Sequence, residues 1–354
     1  MTFQTPELPT PEPALSRRAE MAEAAGKLSR ARVLVVGDAM LDRYVFGHVG
    51  RISPEAPVPV LAVEKELAEP GGAGNVVHNL CALGAAVAFV SVVGDDPAGA
   101  ELTGLIGGQA GVEPWLLVQG GRLTTLKTRF VADSNRLGGQ QLLRTDQEDR
   151  NPIHPKLAER LVRIARDAMA ATSVTILSDY RKGVLAGDIP AALIAACREA
   201  GRRLVVDLRA PDWARYAGAD VIVPHRRDLV AWSSAPSSTG DMDDMIAVAG
   251  QMLRDRHGFG AVLVKRGAEG LSLIDAEGCE HFRLPPDLID LSGAGDAAVA
   301  TLAASLAAGT GLRVSSALAN AAAGLVGTRP GSSVAHARDL LAAVSPVQTV
   351  IQST

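Results

Sequence analysis

Aromatic side chains are scarce in this sequence: 3 Trp, 3 Tyr and 6 Phe make up 3% of 354 residues. A surface that stacks nucleic-acid bases needs rings that the chain does not have. Cysteine is as sparse. Cys81, Cys197 and Cys279 stand alone with no C-x-x-C spacing, which argues against a disulfide framework or a zinc knuckle and fits a reducing, cytoplasmic setting. Neither sign of charge predominates, since 35 basic side chains face 39 acidic ones for a net charge of -4. No global positive field exists to recruit nucleic acid or an anionic membrane, although a local phosphate site is unaffected. Long apolar runs are missing too. The most apolar region, Ala297 to Val326, is interrupted by Gly309, Gly311 and Arg313, so it reads as two packed helices rather than a membrane span. The first thirty residues hold Pro6, Pro9, Pro11 and Pro13 and then a charged stretch, without the apolar core of a secretory signal, so export is not expected.

What is present is the material of a large α/β core. Hydrophobic residues are 47% of the chain and charged ones 21%, carried mainly by Ala, Val and Leu. The run Val33-Leu-Val-Val-Gly37 has the form of a strand buried on both faces. Similar runs recur at Ala88 to Val93, Val174 to Leu177, Leu204 to Asp207, Val221 to Val223 and Ala261 to Lys265. Helical patterns at Pro155 to Ala171, Asp188 to Ala200 and Asp241 to His257 lie between most of them, which predicts a doubly wound parallel sheet. Two places break the alternation: Tyr44 to Gly47 with Val58 to Lys65, and Leu126 to Val131 with Leu142 to Arg144. These short alternating pairs, with no helix between them, predict a small accessory sheet whose edge is blunted by Pro57 and Pro59. The expected organisation is a tail and short helix over 1–30, one domain over 31–344 with lid strands near 44–65 and 124–145, and a tail over 345–354. Helices are expected near 294–308, 313–327 and 336–344.

The sharpest motif is Asp290-Leu-Ser-Gly-Ala-Gly-Asp296, which opens the first Ala-rich helix. Gly293, Ala294 and Gly295 let the backbone turn closely at a helix N-terminus, where free N–H groups and the dipole attract an anion. Asp296 directly behind would reach a hydroxyl attacking a phosphate held there and accept its proton. On spacing alone a tight turn with a favourable first-turn acid remains an equal alternative. Gly293 to Ala298 also matches the dinucleotide pattern G-x-G-x-x-A, but the following strand and acid that this fingerprint needs are absent. No Walker A, H-E-x-x-H or G-x-S-x-G pattern occurs. A second Gly-rich element, Pro70-Gly-Gly-Ala-Gly-Asn75, offers Gly71, Gly72 and Asn75 to sugar hydroxyls or simply caps a helix. Asp38 and Asp42 follow the first strand on the ligand-binding edge, as hydroxyl acceptors or as loop charges.

Taken together, the two glycine motifs resemble the ribokinase-like (pfkB-type) carbohydrate kinases, over about Arg32 to Val344. Within that family, Gly37-Asp-Ala-Met-Leu-Asp-Arg-Tyr44, Arg51-Ile-Ser-Pro-Glu-Ala-Pro-Val-Pro-Val60 and Ser178-Asp-Tyr-Arg-Lys-Gly183 resemble the branch that phosphorylates D-glycero-β-D-manno-heptose 7-phosphate. The resemblance implies a Rossmann-type central parallel sheet with helices on both faces and a small β-sheet lid that commonly forms a homodimer contact. It implies Asp296 as catalytic base, Gly293 to Gly295 as anion hole, and Asp42, Gly72 and Asn75 as sugar ligands. ATP would lie beside Lys265, Gly267 and Gly270, with Asn320 near the adenine, and Mg²⁺ would bridge its phosphates. The product would feed ADP-heptose synthesis for lipopolysaccharide. The branch is often fused to a nucleotidyltransferase; with the chain as given ending at Thr354, the stand-alone form is expected.

Several positions depart from the family pattern. Val223-Pro-His-Arg-Arg-Asp228 stands where Thr-Pro-Asn-x-x-Glu is usual, so His225 and Asp228 occupy the phosphate-side and Mg²⁺-side positions, Asp228 being the one carboxylate offered to the metal. Asp207-Leu-Arg209 stands where Asp-Pro-Lys is common, and Ala297 where Thr is. Gly139 replaces a basic lid residue for which Arg136 is the candidate substitute. These departures leave two other readings open: a kinase for a different sugar or sugar phosphate, and a catalytically weak relative that binds sugar phosphate or nucleotide.

Overall fold

Arg32–Gly37 forms a strand because its β-branched residues can pack on both sides at once: Val33 and Val35 enter one apolar cluster, Leu34 and Val36 the other. The computed structural model describes residues 12–132, 139–209, 212–233, 241–329, 331 and 333–345. Along the chain the elements are α1 (Glu12–Lys27), β1 (Arg32–Gly37), β2 (Ala39–Ile52), β3 (Pro59–Gly72), α2 (Ala73–Ala82), β4 (Ala86–Gly94), α3 (Pro97–Gly107), β5 (Val112–Gln119), β6 (Leu126–Ala132), β7 (Gln140–Gln147), α4 (Pro155–Met169), β8 (Val174–Asp179), α5 (Ile189–Glu199), β9 (Arg203–Leu208), β10 (Val221–Val223), α6 (Arg226–Ser233), α7 (Met242–His257), β11 (Ala261–Lys265), β12 (Leu271–Asp275), β13 (Gly278–Phe282), α8 (Ala294–Ala307), α9 (Leu312–Gly327) and α10 (Ala337–Val344).

The large sheet has the order β13-β12-β11-β10-β9-β8-β1-β4-β5. From β11 to β5 every pairing is parallel, with Val35 opposite Ile176 on one side and Phe89 on the other. Helices cover both faces. Side chains of α1, α2, α3, α8, α9 and α10 form one core, and those of α4, α5, α6 and α7 the other. Chain direction across the sheet reverses at β1: β4 follows on one side and β8 on the other, which opens a ligand crevice at the strands' carboxyl ends.

The wholly parallel sheet expected from the sequence is corrected in one respect: β12 and β13 add an antiparallel hairpin, making the sheet mixed. The edge strand β5 is also unforeseen. Its mostly exposed and half-buried residues lack the doubly apolar run that marks a central strand. The accessory strands belong to one four-stranded sheet, β3-β2-β6-β7, in which a parallel pairing of β2 with β6 joins two antiparallel hairpins. β2 and β3 are each 14 residues long, longer than their alternation suggested, and bulges at Phe46/Gly47 and Val49/Arg51 bend the ribbon. Among the described residues no helix is long and apolar enough to cross a membrane.

Candidate active site

Gly293 caps α8 with φ 77°, a left-handed conformation that glycine adopts without steric cost. The helix it starts is buried almost throughout, because its alanines fit between the sheet and α9. Asp296, in the first turn, is therefore a carboxylate carried into the interior, 7% exposed. Its Oδ2 accepts from Asn75 Nδ2 at 2.7 Å and its Oδ1 from the Tyr180 hydroxyl at 2.7 Å. Arg209 Nη2 stands 3.7 Å from Oδ1. Burial pushes the Asp296 carboxyl above its ordinary value, with the Arg209 charge opposing. Burial and the Asp296 charge raise the Tyr180 phenol well above its usual value, so the phenol stays protonated and donates.

Tyr180 reaches this place because of Asp38. The fully buried Asp38 accepts backbone N–H groups from Tyr180 at 2.8 Å and Lys182 at 3.0 Å on Oδ2, and from Val184 at 3.0 Å on Oδ1. Burial and the Asp179 charge push its carboxyl up to about 6 against those three donors. The turn it braces contains Arg181, the one non-glycine residue with positive φ (58°) among the described residues. Asp38, expected as a substrate ligand, is fully buried here and braces the turn through these three bonds.

Beyond Asp296 lies a row of charged side chains at the ends of β9, β10 and β11. Lys265 forms a buried ion pair with Asp207. Although burial disfavours the charge, Lys265 and then Arg209 hold Asp207 below its ordinary value. Arg209 Nη1 meets His225 Nε2 at 2.5 Å, and the guanidinium carbon lies 4.9 Å from the centre of the Tyr180 ring. Burial, Lys265 and Arg209 push the His225 imidazole down to about 3, so it is neutral. Tyr180, Asp207 and Arg209 stand in stretches that the sequence marks as family-like, but their motifs assign them no role at the site. The signal for them was positional, since each closes or follows a strand of the crevice edge.

The remaining sequence candidates fall around this centre. Asp42 pairs with Arg129 at 2.8 Å, and a Cβ on Gly71 would lie 2.2 Å from Asp42 Oδ2, so only glycine lets the two strands carry this carboxylate. Gly72, φ 57°, is the N-cap of α2, which starts at Ala73 and places Asn75 in its first turn. Asn75 is engaged by Asp296 and by Asn79 Nδ2, which donates to its Oδ1 at 3.3 Å. His225, Lys265, Gly267, Gly270, Ala294 and Gly295 line one cavity of about 150 Å³. Asn320 donates to the Arg283 carbonyl at 2.9 Å while its Oδ1 has no partner among the described residues. Asp228 sits 3.5 Å from Arg227 and does not line that cavity. Arg136 lies outside the described residues. A larger cavity of about 790 Å³ separates the lid (Tyr44, Glu69, Arg129, Gln141) from the loop leading to α8 (Asp290, Ser292).

A buried carboxylate behind a helix-start anion turn, at the reversal point of an α/β sheet and beside a β lid, defines a sugar kinase of the ribokinase-like class. The fold agrees: phosphofructokinase-2 from Escherichia coli superposes with a TM-score of 0.72 at 19% identity, covering 89% of this chain and 98% of that one. Arabidopsis thaliana ribokinase, solved with ribose and ATP, gives 0.67 at 19% identity with the same coverage. The chain belongs to the pfkB family of carbohydrate kinases, whose profile matches residues 30–338. It is 52% identical over 336 residues to the bifunctional protein HldE of Acidiphilium cryptum, covering 94% of this chain and 67% of the relative. It is 47% identical over 328 residues to the protein of that name in Paramagnetospirillum magneticum, covering 92% and 65%. The chain thus spans about two thirds of the length of these curated relatives.

Proposed function

We propose that this kinase transfers the γ-phosphoryl group of ATP to the anomeric oxygen of D-glycero-β-D-manno-heptose 7-phosphate, giving the 1,7-bisphosphate used for ADP-heptose and the lipopolysaccharide core. The observation that carries the chemistry is Asp296, buried and hydrogen-bonded directly behind the Gly293 turn. The sequence stretches shared with heptose 7-phosphate kinases, and the identity to proteins named HldE, support the substrate.

In this reading the sugar enters through the lid cavity lined by Tyr44, Glu69, Arg129 and Gln141, with Asp42, paired to Arg129, and the 71–75 segment as its ligands, and ATP enters on the side of Lys265, Gly267 and Gly270. The anomeric hydroxyl gives its proton to Asp296 as its oxygen bonds to the γ-phosphorus. The bond from that phosphorus to the bridging oxygen breaks, and ADP leaves with the electron pair. The Gly293–Gly295 turn and the helix dipole face the charge on the moving group, the Ala294 N–H being held by the Leu291 carbonyl at 3.2 Å. Asp228 on α6 would be the acid offered to a Mg²⁺ held mainly by ATP phosphate oxygens, and such an ion would neutralise phosphate charge. A homodimer through the lid fits the exposed Val63, Leu67 and Leu143 on its strands, and a cytoplasmic location fits the substrates.

ADP release coupled to a chromogenic readout tests this. Heptose 7-phosphate should be turned over in preference to other phosphosugars, and Asp296→Asn should lose about 10²–10⁴-fold in kcat, the range for a general base. Preference for another phosphosugar would overturn the substrate, and an active Asp296→Asn the mechanism.

A further inference from the structure

Two of the positions where this sequence departs from the family pattern, Arg209 and His225, turn out to touch. Arg209 follows β9 and His225 follows β10, strands that pair in parallel through Val205 and Val221, and the two side chains meet at 2.5 Å. A guanidinium has donors only, so His225 Nε2 must be the acceptor in this contact. The imidazole is therefore neutral and carries its proton on Nδ1. Its surroundings enforce that state. From β11 comes the cation Lys265, from the end of β9 the cation Arg209 and the anion Asp207, and from α6 the cation Arg227.

The guanidinium held this way faces the centre from a defined side. It stacks over the Tyr180 ring, its Nη2 lies 3.4 Å from the Tyr180 hydroxyl and 3.7 Å from Asp296 Oδ1, and its Nε has no partner among the described residues. The 3.7 Å gap matters. Arg209 is near enough to favour the Asp296 charge but not bonded to it, so its donors are not used up by the carboxylate. A cavity of about 410 Å³ is lined by Arg150, Arg181, Lys182 and Arg215 together with Arg209. Of these, Lys182 is paired with Glu148 and Arg215 with Asp179, whereas Arg209 is the cation beside Asp296.

We propose that Arg209 is the cation that meets the migrating phosphoryl group, and that His225 is its positioning residue, a neutral acceptor that fixes the guanidinium over Tyr180 at the distance from Asp296 seen here. This rests on the phosphoryl-transfer reading above. As the sugar oxygen bonds to phosphorus and ADP departs, negative charge spread over the equatorial oxygens meets a guanidinium already oriented, so no side-chain ordering is required at that moment. A flexible lysine at this place would not need a positioning partner; a planar fork does, because its value lies in its orientation.

Kinetics and a histidine titration test it together. Arg209→Met should lower kcat about 10²–10³-fold. His225→Leu should lower kcat about tenfold with both KM values within twofold, and His225→Gln, which keeps an acceptor, should recover most of that loss. The double variant Arg209→Met/His225→Leu should be no slower than Arg209→Met alone, because His225 acts only through Arg209. Losses that multiply, or that fall on KM, overturn the proposal. In the free protein, one of the seven histidines should stay neutral by NMR down to about pH 4, vanish in His225→Gln and titrate at higher pH in Arg209→Met. Protonation of His225 near pH 6.5 overturns the pairing. If no sugar phosphate is turned over by the wild-type chain, the substrate reading fails, whereas the titration still decides the Arg209–His225 contact.

Discussion

Replacing Asp38 tests most directly whether its carboxylate braces the Tyr180–Val184 turn. Asp38→Ala removes the acceptor of three buried backbone N–H groups at 2.8–3.0 Å. Each buried donor left without a partner costs about 1–3 kcal/mol, so the sum is about 3–9 kcal/mol, and water entering the vacated space should bring the observed loss to the lower end, near 3–5. The strained Arg181 backbone, φ 58°, loses its brace as well, at about 1–3 kcal/mol if the turn relaxes only in part. Asp38→Asn keeps one acceptor but sets an amide N–H₂ against a backbone donor, and should lose about 2–4 kcal/mol. Urea unfolding followed by circular dichroism measures this. In a thermal scan 3 kcal/mol corresponds to about 6–12 °C for a domain of some 150–250 residues, and somewhat less for one this large. Because the turn carries Tyr180, kcat should fall along with stability. A variant as stable as wild type within about 1 kcal/mol, with only the sugar KM raised, would show Asp38 to be a substrate ligand and refute the bracing argument.

Two further outcomes follow from the same geometry. Burial raises the Asp296 carboxyl while the Tyr180 hydrogen bond favours its charged form; kcat/KM should therefore fall on acidification through a pH above the ordinary carboxylate range, and Tyr180→Phe should move that limb to higher pH, an unmoved limb contradicting the Asp296 assignment. Breaking the buried Lys265–Asp207 pair with Lys265→Met should destabilise by about 3–5 kcal/mol by stranding a buried charge, and Asp207→Leu added to it should recover a good part; chemical denaturation of both variants decides, and equal stability of the two would mean that no charge is stranded.

The central strands, the Ala-rich helices and the Gly293–Asp296 turn were legible because each is a local signal: a doubly apolar run, a helical period, glycines at fixed offsets. β5 was not, because it is an edge strand with mostly exposed residues and a proline, and the β12–β13 hairpin was not, because its strands are only five residues each. The lid was read as two strand pairs; that β2 and β6 lie side by side in parallel is a pairing across more than seventy residues of chain, which no local pattern encodes. The candidate site divides in the same way. Asp296 and its glycines announce themselves by spacing, but Asp38 and Asn75 have donors and acceptors that could equally serve a sugar or the protein itself, and only the folded neighbourhood shows the protein using them.

The sequence by itself determined that this chain builds an α/β core, keeps an anion turn in front of an acid, and departs from its family at Arg209 and His225. Tertiary structure decided what those residues do to one another. Asp38 and Tyr180 are 142 positions apart and Asn75 and Asp296 are 221 apart, yet parallel strands deliver their carboxyl ends to a single edge of the sheet. Burial there removes the water that would otherwise satisfy each polar group, so every carboxylate and cation at that edge must find its partner in another segment of the chain.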